Sequence, residues 1–203
     1  MAEKTAAPAK SGRTISKTRR LAGMAIFTAI VIVLQMLGSF IHFGPFSISL
    51  VLVPIVIGSA LYGAGAGAWL GFVFGAVVIL MGDAAAFLAI NVPGTILTCL
   101  VKGAGAGFCA GLVYRLISSK SDVVATAVAA VVCPVVNTGV FLIGCLLFFM
   151  ETISGWASAM GFENVGVYMI TGFVGINFVI ELAVNVILSP VIVRLIKLAT
   201  KNY

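Results

Sequence analysis

Three observations on this 203-residue chain predict an all-α membrane protein, a compact bundle of six transmembrane helices with both termini cytoplasmic. Hydrophobic residues make up 62% of it and charged residues only 9%, whereas soluble domains carry roughly a quarter charged residues. The apolar residues fall into six runs divided by polar or glycine-rich stretches. Basic residues gather at alternate interruptions, the asymmetry that sets membrane topology.

The chain opens on a basic segment. Lys4, Lys10, Arg13, Lys17, Arg19 and Arg20 supply half of its twelve basic residues, so the net charge of +6 is a topology and lipid-headgroup signal rather than a nucleic-acid footprint. Residues 1–19 are expected to form a disordered basic cytoplasmic tail ahead of a six-helix transmembrane domain over 20–203. The apolar run behind the tail is too long for a signal-peptide core and no A-x-A site follows it. It is therefore expected to remain as the first span, 20–39.

The second and third spans, 48–62 and 65–82, are shorter than the about 20 residues a crossing needs. They are expected to tilt little, or to include a re-entrant or broken piece. Between them "LYGAGAG" offers Gly63, Gly65 and Gly67 for a tight reversal. Spans four to six are placed at 94–117, 122–149 and 167–197. Gly67, Gly71 and Gly75 on the third and Gly103, Gly107 and Gly111 on the fourth recur at spacing four. Such faces let helix backbones approach closely in lipid, where hydrophobicity gives helices no reason to associate.

Arg115 and Lys120 between spans four and five, and Arg194, Lys197 and Lys201 near the C-terminus, share a side with the tail, the cytoplasmic one. The opposite loops, "GSFIHFGPFS", "GDAAAFLAINVPGT" and "FMETISGWASAMGFENVGVY", contain no Lys or Arg. They hold His42, Asp83, Asn91, Glu151, Trp156 and Glu163. Being longer and more varied, they read as lids over a site that opens outward.

An ionisable group inside a membrane costs about 3 kcal/mol at a helix centre, which makes it a functional-site candidate. Lys102, in "LVKGAGAGFCAGL", is expected about 10 Å from the outer end of its span, and Glu181 about 20 Å from the outer end of the last. Asn177, Glu181 and Asn185 stack at spacing four on one helix face. Asn137, beside Pro134 on the fifth span, is expected at mid-depth, so that Lys102, Asn137 and Asn177 converge from three helices. That set suits a small polar ligand with an anionic group, the ammonium serving as counter-charge and the amides as hydrogen-bond partners. Asp83 and Asn91 join it from an outer loop, and Trp69, Phe46, Phe87 and Phe141 are candidate apolar walls. Plainer readings stand beside these: Lys102 snorkels to the interface or is neutralised by a helix partner, with Glu181 as the alternative to a ligand carboxylate, and the buried amides and Glu181 only lock helices together.

Catalytic and metal chemistry find no footing. The chain has one histidine, no H-E-x-x-H, no G-x-S-x-G and no close pair of carboxylates, so neither catalytic nor metal-ligating residues nor a cofactor are expected. No G-x-x-x-x-G-K-[ST] phosphate loop occurs either. Cys99, Cys109, Cys133 and Cys145 all sit in apolar runs and read as packing residues.

"MAIFTAI", "GPFSISLVLVPIVIGSALYGAGAGAWLGFVFG" and "GINFVIELAVNVILSPVIVRLIK" together resemble the substrate-binding S components of energy-coupling factor (ECF) vitamin transporters, over nearly the whole chain after the tail. The resemblance implies six helices in a prokaryotic plasma membrane that capture a vitamin or related micronutrient beneath loops one, three and five. A transmembrane T component and two ATPase subunits then power uptake. It also implies that Ala25 and Ala29, four apart on the first helix, form the docking face for the T component, where packing within the monomer is the plain alternative. With Lys102 and no acid expected in the outer third, a carboxylated, pantothenate-like vitamin is favoured over cationic thiamine. Two other functions stay open: a non-transporting membrane scaffold, and an ion-coupled secondary transporter working through Glu181.

Overall fold

The computed structural model describes residues 17–39, 42–43, 46–47 and 50–201, with the side chains of 42, 43, 46, 47, 176 and 199–201 left outside that description. Most of the expected tail, 1–16, falls outside it too. Helix α1 (Lys17–Gly38) starts three residues before the expected span. A hairpin of two-residue strands follows, β1 (His42–Phe43) antiparallel to β2 (Phe46–Ser47), pairing His42 with Ser47 and Phe43 with Phe46. The remainder is helical: α2 (Leu52–Tyr62), α3 (Ala64–Leu80), α4 (Ala85–Leu88), α5 (Val92–Ile117), α6 (Asp122–Phe148), α7 (Met150–Ala159), α8 (Val165–Val167) and α9 (Gly175–Lys201). A π-helical turn, Tyr168–Phe173, lies between α8 and α9.

Local signals explain the boundaries. Asn91 in extended conformation accepts from the Gly94 amide at 2.9 Å and caps α5, with Pro93 in the first turn, where no N–H is needed. Ser121 caps α6 by accepting from Val124 N at 3.4 Å, and Asp122 complements the helix dipole there. Between α2 and α3 the reversal takes one residue, Gly63, at φ +92°, a region L side chains rarely enter. Gly65 and Gly67 lie inside α3 instead.

Among the described residues, four helical segments are long and apolar enough to cross a membrane: α1, α5, α6 and Asn177–Leu198 of α9. The other two apolar helices, α2 and α3, are shorter, with 11 and 17 residues. Helix α2 is apolar on every side and eight of its residues are buried, among them Leu52, Ile55 and Val56. It is enclosed by α1, α3, α5, α6 and α9 and forms the centre of the bundle. A helix that meets protein all round has no lipid boundary to match in length. The long helices point leucine, isoleucine and valine outward, as at Leu21, Leu112, Leu147 and Ile187.

The α3–α5 pairing is a glycine seam. A Cβ built on Gly71 would strike the backbone of Gly103, and one on Gly103 the backbone of Gly71. Gly67 and Gly107 stand in the same reciprocal relation, and Gly75 faces the backbone of Cys99. The two spacing-four faces noted in the sequence are thus opposite halves of one antiparallel contact. It brings α5, and Lys102 with it, hard against α3.

Candidate ligand-binding cavity

A cavity of about 770 Å³ of atom-free space, part of it open, lies at one end of the bundle. Its lining comes from the end of α1 (Gln35), the α3–α4 turn (Asp83, Ala84) and the first turns of α5 (Thr95, Thr98). The last part of α6 (Phe141), the residue that joins it to α7 (Phe149) and the start of α9 (Asn177, Glu181) complete it. This is the end that carries the three loops without Lys or Arg.

Five of the six polar residues expected at a site line it: Lys102, Asn137, Asn177, Glu181 and Asp83. Asn91 does not, because its side chain is taken by the α5 cap. Of the candidate walls, Phe87 and Phe141 line the cavity. Trp69 is half exposed on the outer surface, donating to Thr28 Oγ1 at 3.2 Å and stacking on Phe72. The Phe46 side chain lies outside the described residues.

Lys102 reaches the cavity half-buried, its ammonium 5.1 Å from the ring centre of Phe141 and 5.7 Å from that of Phe74. Among the described residues the ammonium enters no ion pair, and ring faces supply its close contacts. Cation–π contact of this kind returns about 0.5–2 kcal/mol, less than full solvation or a counter-ion would.

Two carboxyls, Asp83 and Glu181, share the cavity with Lys102, so the ammonium does not stand apart from acids as the expectation of none in the outer third had it. Helix α9 begins at Gly175 rather than at 167, because residues Tyr168–Phe173 form the π turn. Glu181 lies about 9 Å along α9 from its first residue. Asp83 is drawn inward by α1, accepting from Gln35 Nε2 at 2.7 Å and from Ser39 Oγ at 2.6 Å. Asn177 Nδ2 donates to Glu181 Oε1 at 3.4 Å, one turn away on the same face. Asn185, the third residue of that stripe, is fully buried, donates to the Glu181 carbonyl at 2.9 Å and does not line the cavity.

One wall is aromatic. Phe87, on the short helix α4, packs against Phe141 (5.7 Å), Phe149 (5.0 Å), Trp156 (5.9 Å) and Phe173 (6.1 Å). These separations suit edge-to-face contact. Phe87, Phe141 and Phe149 line the cavity, and Trp156 of α7 and Phe173 of the π turn pack behind Phe87.

A model of the substrate-specific component of ECF transporters matches residues 19–193. The chain belongs to that family. Comparison with curated proteins and with solved structures gives no match. As an S component, this multi-pass membrane protein is the substrate-binding part of a transporter, and its family implies partner T and ATPase components and a small-molecule substrate. Its cavity also uses residues that sequence reasoning passed over: Gln35, Thr95, Thr98, Thr138, Phe74 and Phe149. Gln35 had the same signal as Asn177, an amide inside an apolar span. The threonines had none, since a helical threonine ordinarily bonds its own preceding turn, as Thr95 does to Asn91 O at 2.8 Å. Ala25 and Ala29 are both exposed on α1.

Proposed function

We propose that this S component captures a carboxylated vitamin or related micronutrient, pantothenate-like, from outside a prokaryotic cell and is not itself an enzyme. A T component docking on Ala25 and Ala29, with two ATPase subunits, powers its uptake. In this reading α2 and α3 complete six passes, both termini are cytoplasmic, and the loops lacking Lys and Arg lie outside. The charge pattern of the loops supports that orientation, and the position of the cavity among those same loops agrees with it. The absence of a phosphate-loop motif fits a protein whose ATP is handled by partners.

The observation that carries the ligand assignment is Lys102, a cation in a cavity with ring faces for close contacts. Asp83 is engaged by Gln35 and Ser39, and one oxygen of Glu181 by Asn177, while no ion pair holds the ammonium among the described residues, so it can receive an arriving anion. A ligand carboxylate there would gain a charge-assisted hydrogen bond, among the stronger contacts in a desolvated site. Native mass spectrometry of protein purified in mild detergent tests this. The wild type is expected to carry an acidic small molecule and Lys102→Met to have lost it, with the melting temperature of the variant within about 4 °C of that of the wild type stripped of its ligand. Equal occupancy in Lys102→Met, or a bound molecule without an acidic group, would contradict the assignment.

A further inference from the structure

Four buried oxygens on cavity-lining residues have no hydrogen-bond partner among the described residues: Gln35 Oε1, Thr98 Oγ1, Asn137 Oδ1 and Glu181 Oε2. Their residues are at most 5% exposed. A buried polar atom without a partner costs about 1–3 kcal/mol, and native folds hold few of them. Here they come from four helices, α1, α5, α6 and α9, and meet in one cavity. Three are carbonyl or carboxylate oxygens, which accept. The orientation of the Gln35 amide is fixed, because its nitrogen donates to Asp83 and leaves Oε1 as the acceptor. The Thr98 hydroxyl is also withheld from its own helix, whereas Thr28, Thr95 and Thr126 each bond the carbonyl four residues back. Beside this set of acceptors stands one cation, Lys102.

We infer that the ligand of this cavity carries two functions, an acidic group for Lys102 and, on the same molecule, N–H or O–H donors for Gln35, Asn137 and Glu181. The Thr98 hydroxyl completes that polar set. The inference rests on the anion-capture reading above and narrows it, since an acid with a purely apolar body would leave all three acceptors unsatisfied.

Calorimetry on the full chain in detergent, with four probes, separates the possibilities. Pantothenate and biotin each carry a carboxylate with further O–H or N–H donors; lipoate has a carboxylate and no other donor; nicotinamide has N–H donors and no acid. One of the first two is expected to bind at least about tenfold more tightly than lipoate and nicotinamide, the worth of one or two satisfied acceptors. Lipoate equal to the better of them would overturn the donor requirement and leave anion capture standing. Nicotinamide as the tightest probe would overturn anion capture itself. Failure of both two-function probes to exceed the one-function probes also overturns the inference. For the tighter two-function probe, Thr98→Val, which keeps the side-chain shape, and Glu181→Gln should each cost about tenfold. Asn185→Ala should stay within about twofold, as expected away from the cavity. A loss in Asn185→Ala as large as in the other two would mean that the α9 stripe acts by holding helices together, and would overturn the inference.

Discussion

Asn91 and Asn137 carry the same amide, and the fold uses them differently. Asn91 sits where the chain enters a helix, so its oxygen is claimed by the Gly94 amide before any ligand arrives. Asn137 sits in the middle of α6, where the backbone amides are already paired and its oxygen faces the cavity unclaimed. In the sequence both were candidate polar contacts, Asn91 from an outer loop and Asn137 from mid-depth in a span. The distinguishing mark was Pro93, which placed Asn91 at a cap. Replacing Asn91 by Ala should lower stability by about 1 kcal/mol, the usual cost of a lost N-cap, and leave pantothenate affinity unchanged. Thermal melting paired with calorimetry checks both halves, and a fall in affinity without a fall in stability would return Asn91 to the site. Lys102, Asn177 and Glu181 were legible because a polar group in an apolar run has few cheap explanations. The start of α9 was placed at 167 rather than Gly175 because a π turn has no clear sequence signature.

The helices were legible for a different reason, that apolar length and charge-bearing breaks are written directly in the sequence. Helices α5 and α6 begin and end within two residues of the expected spans. The short helices α4 and α7 were hidden inside segments that looked like loops, since four residues, or ten of mixed polarity, give little periodicity to detect. Yet α4 brings Phe87 to the cavity wall, and α7 packs Trp156 against it. The α3–α5 seam was foreshadowed by its glycines, and its reciprocity yields a sharp test. Gly71→Leu should prevent α3 and α5 from closing, since the new side chain meets the backbone of Gly103, which cannot rotate away. Gly65→Ala, in a helical position with open space around it, should be neutral or stabilising by up to about 1 kcal/mol. Melting curves and gel-filtration profiles in detergent compare them. A monodisperse Gly71→Leu protein melting with the wild type would show that the seam does not hold the helices.

At the scale of the molecule, the parts divide by end. One end holds the cavity, its acceptors, its cation and the aromatic wall, all reached from loops without Lys or Arg. The flank of α1 presents small residues, Ala22, Ala25 and Ala29, on an exposed face, the kind of surface against which another helix can lie closely. An S component divided in this way should keep capture and delivery separable. The decisive measurement is uptake of radiolabelled pantothenate by cells producing the T component and ATPases with either the wild type or an Ala25→Trp, Ala29→Trp variant, alongside pantothenate binding by each purified protein. The account predicts that the variant binds as the wild type does and takes up nothing above background. Undiminished uptake by the variant, or wild-type uptake in cells lacking the T component and ATPases, would contradict it.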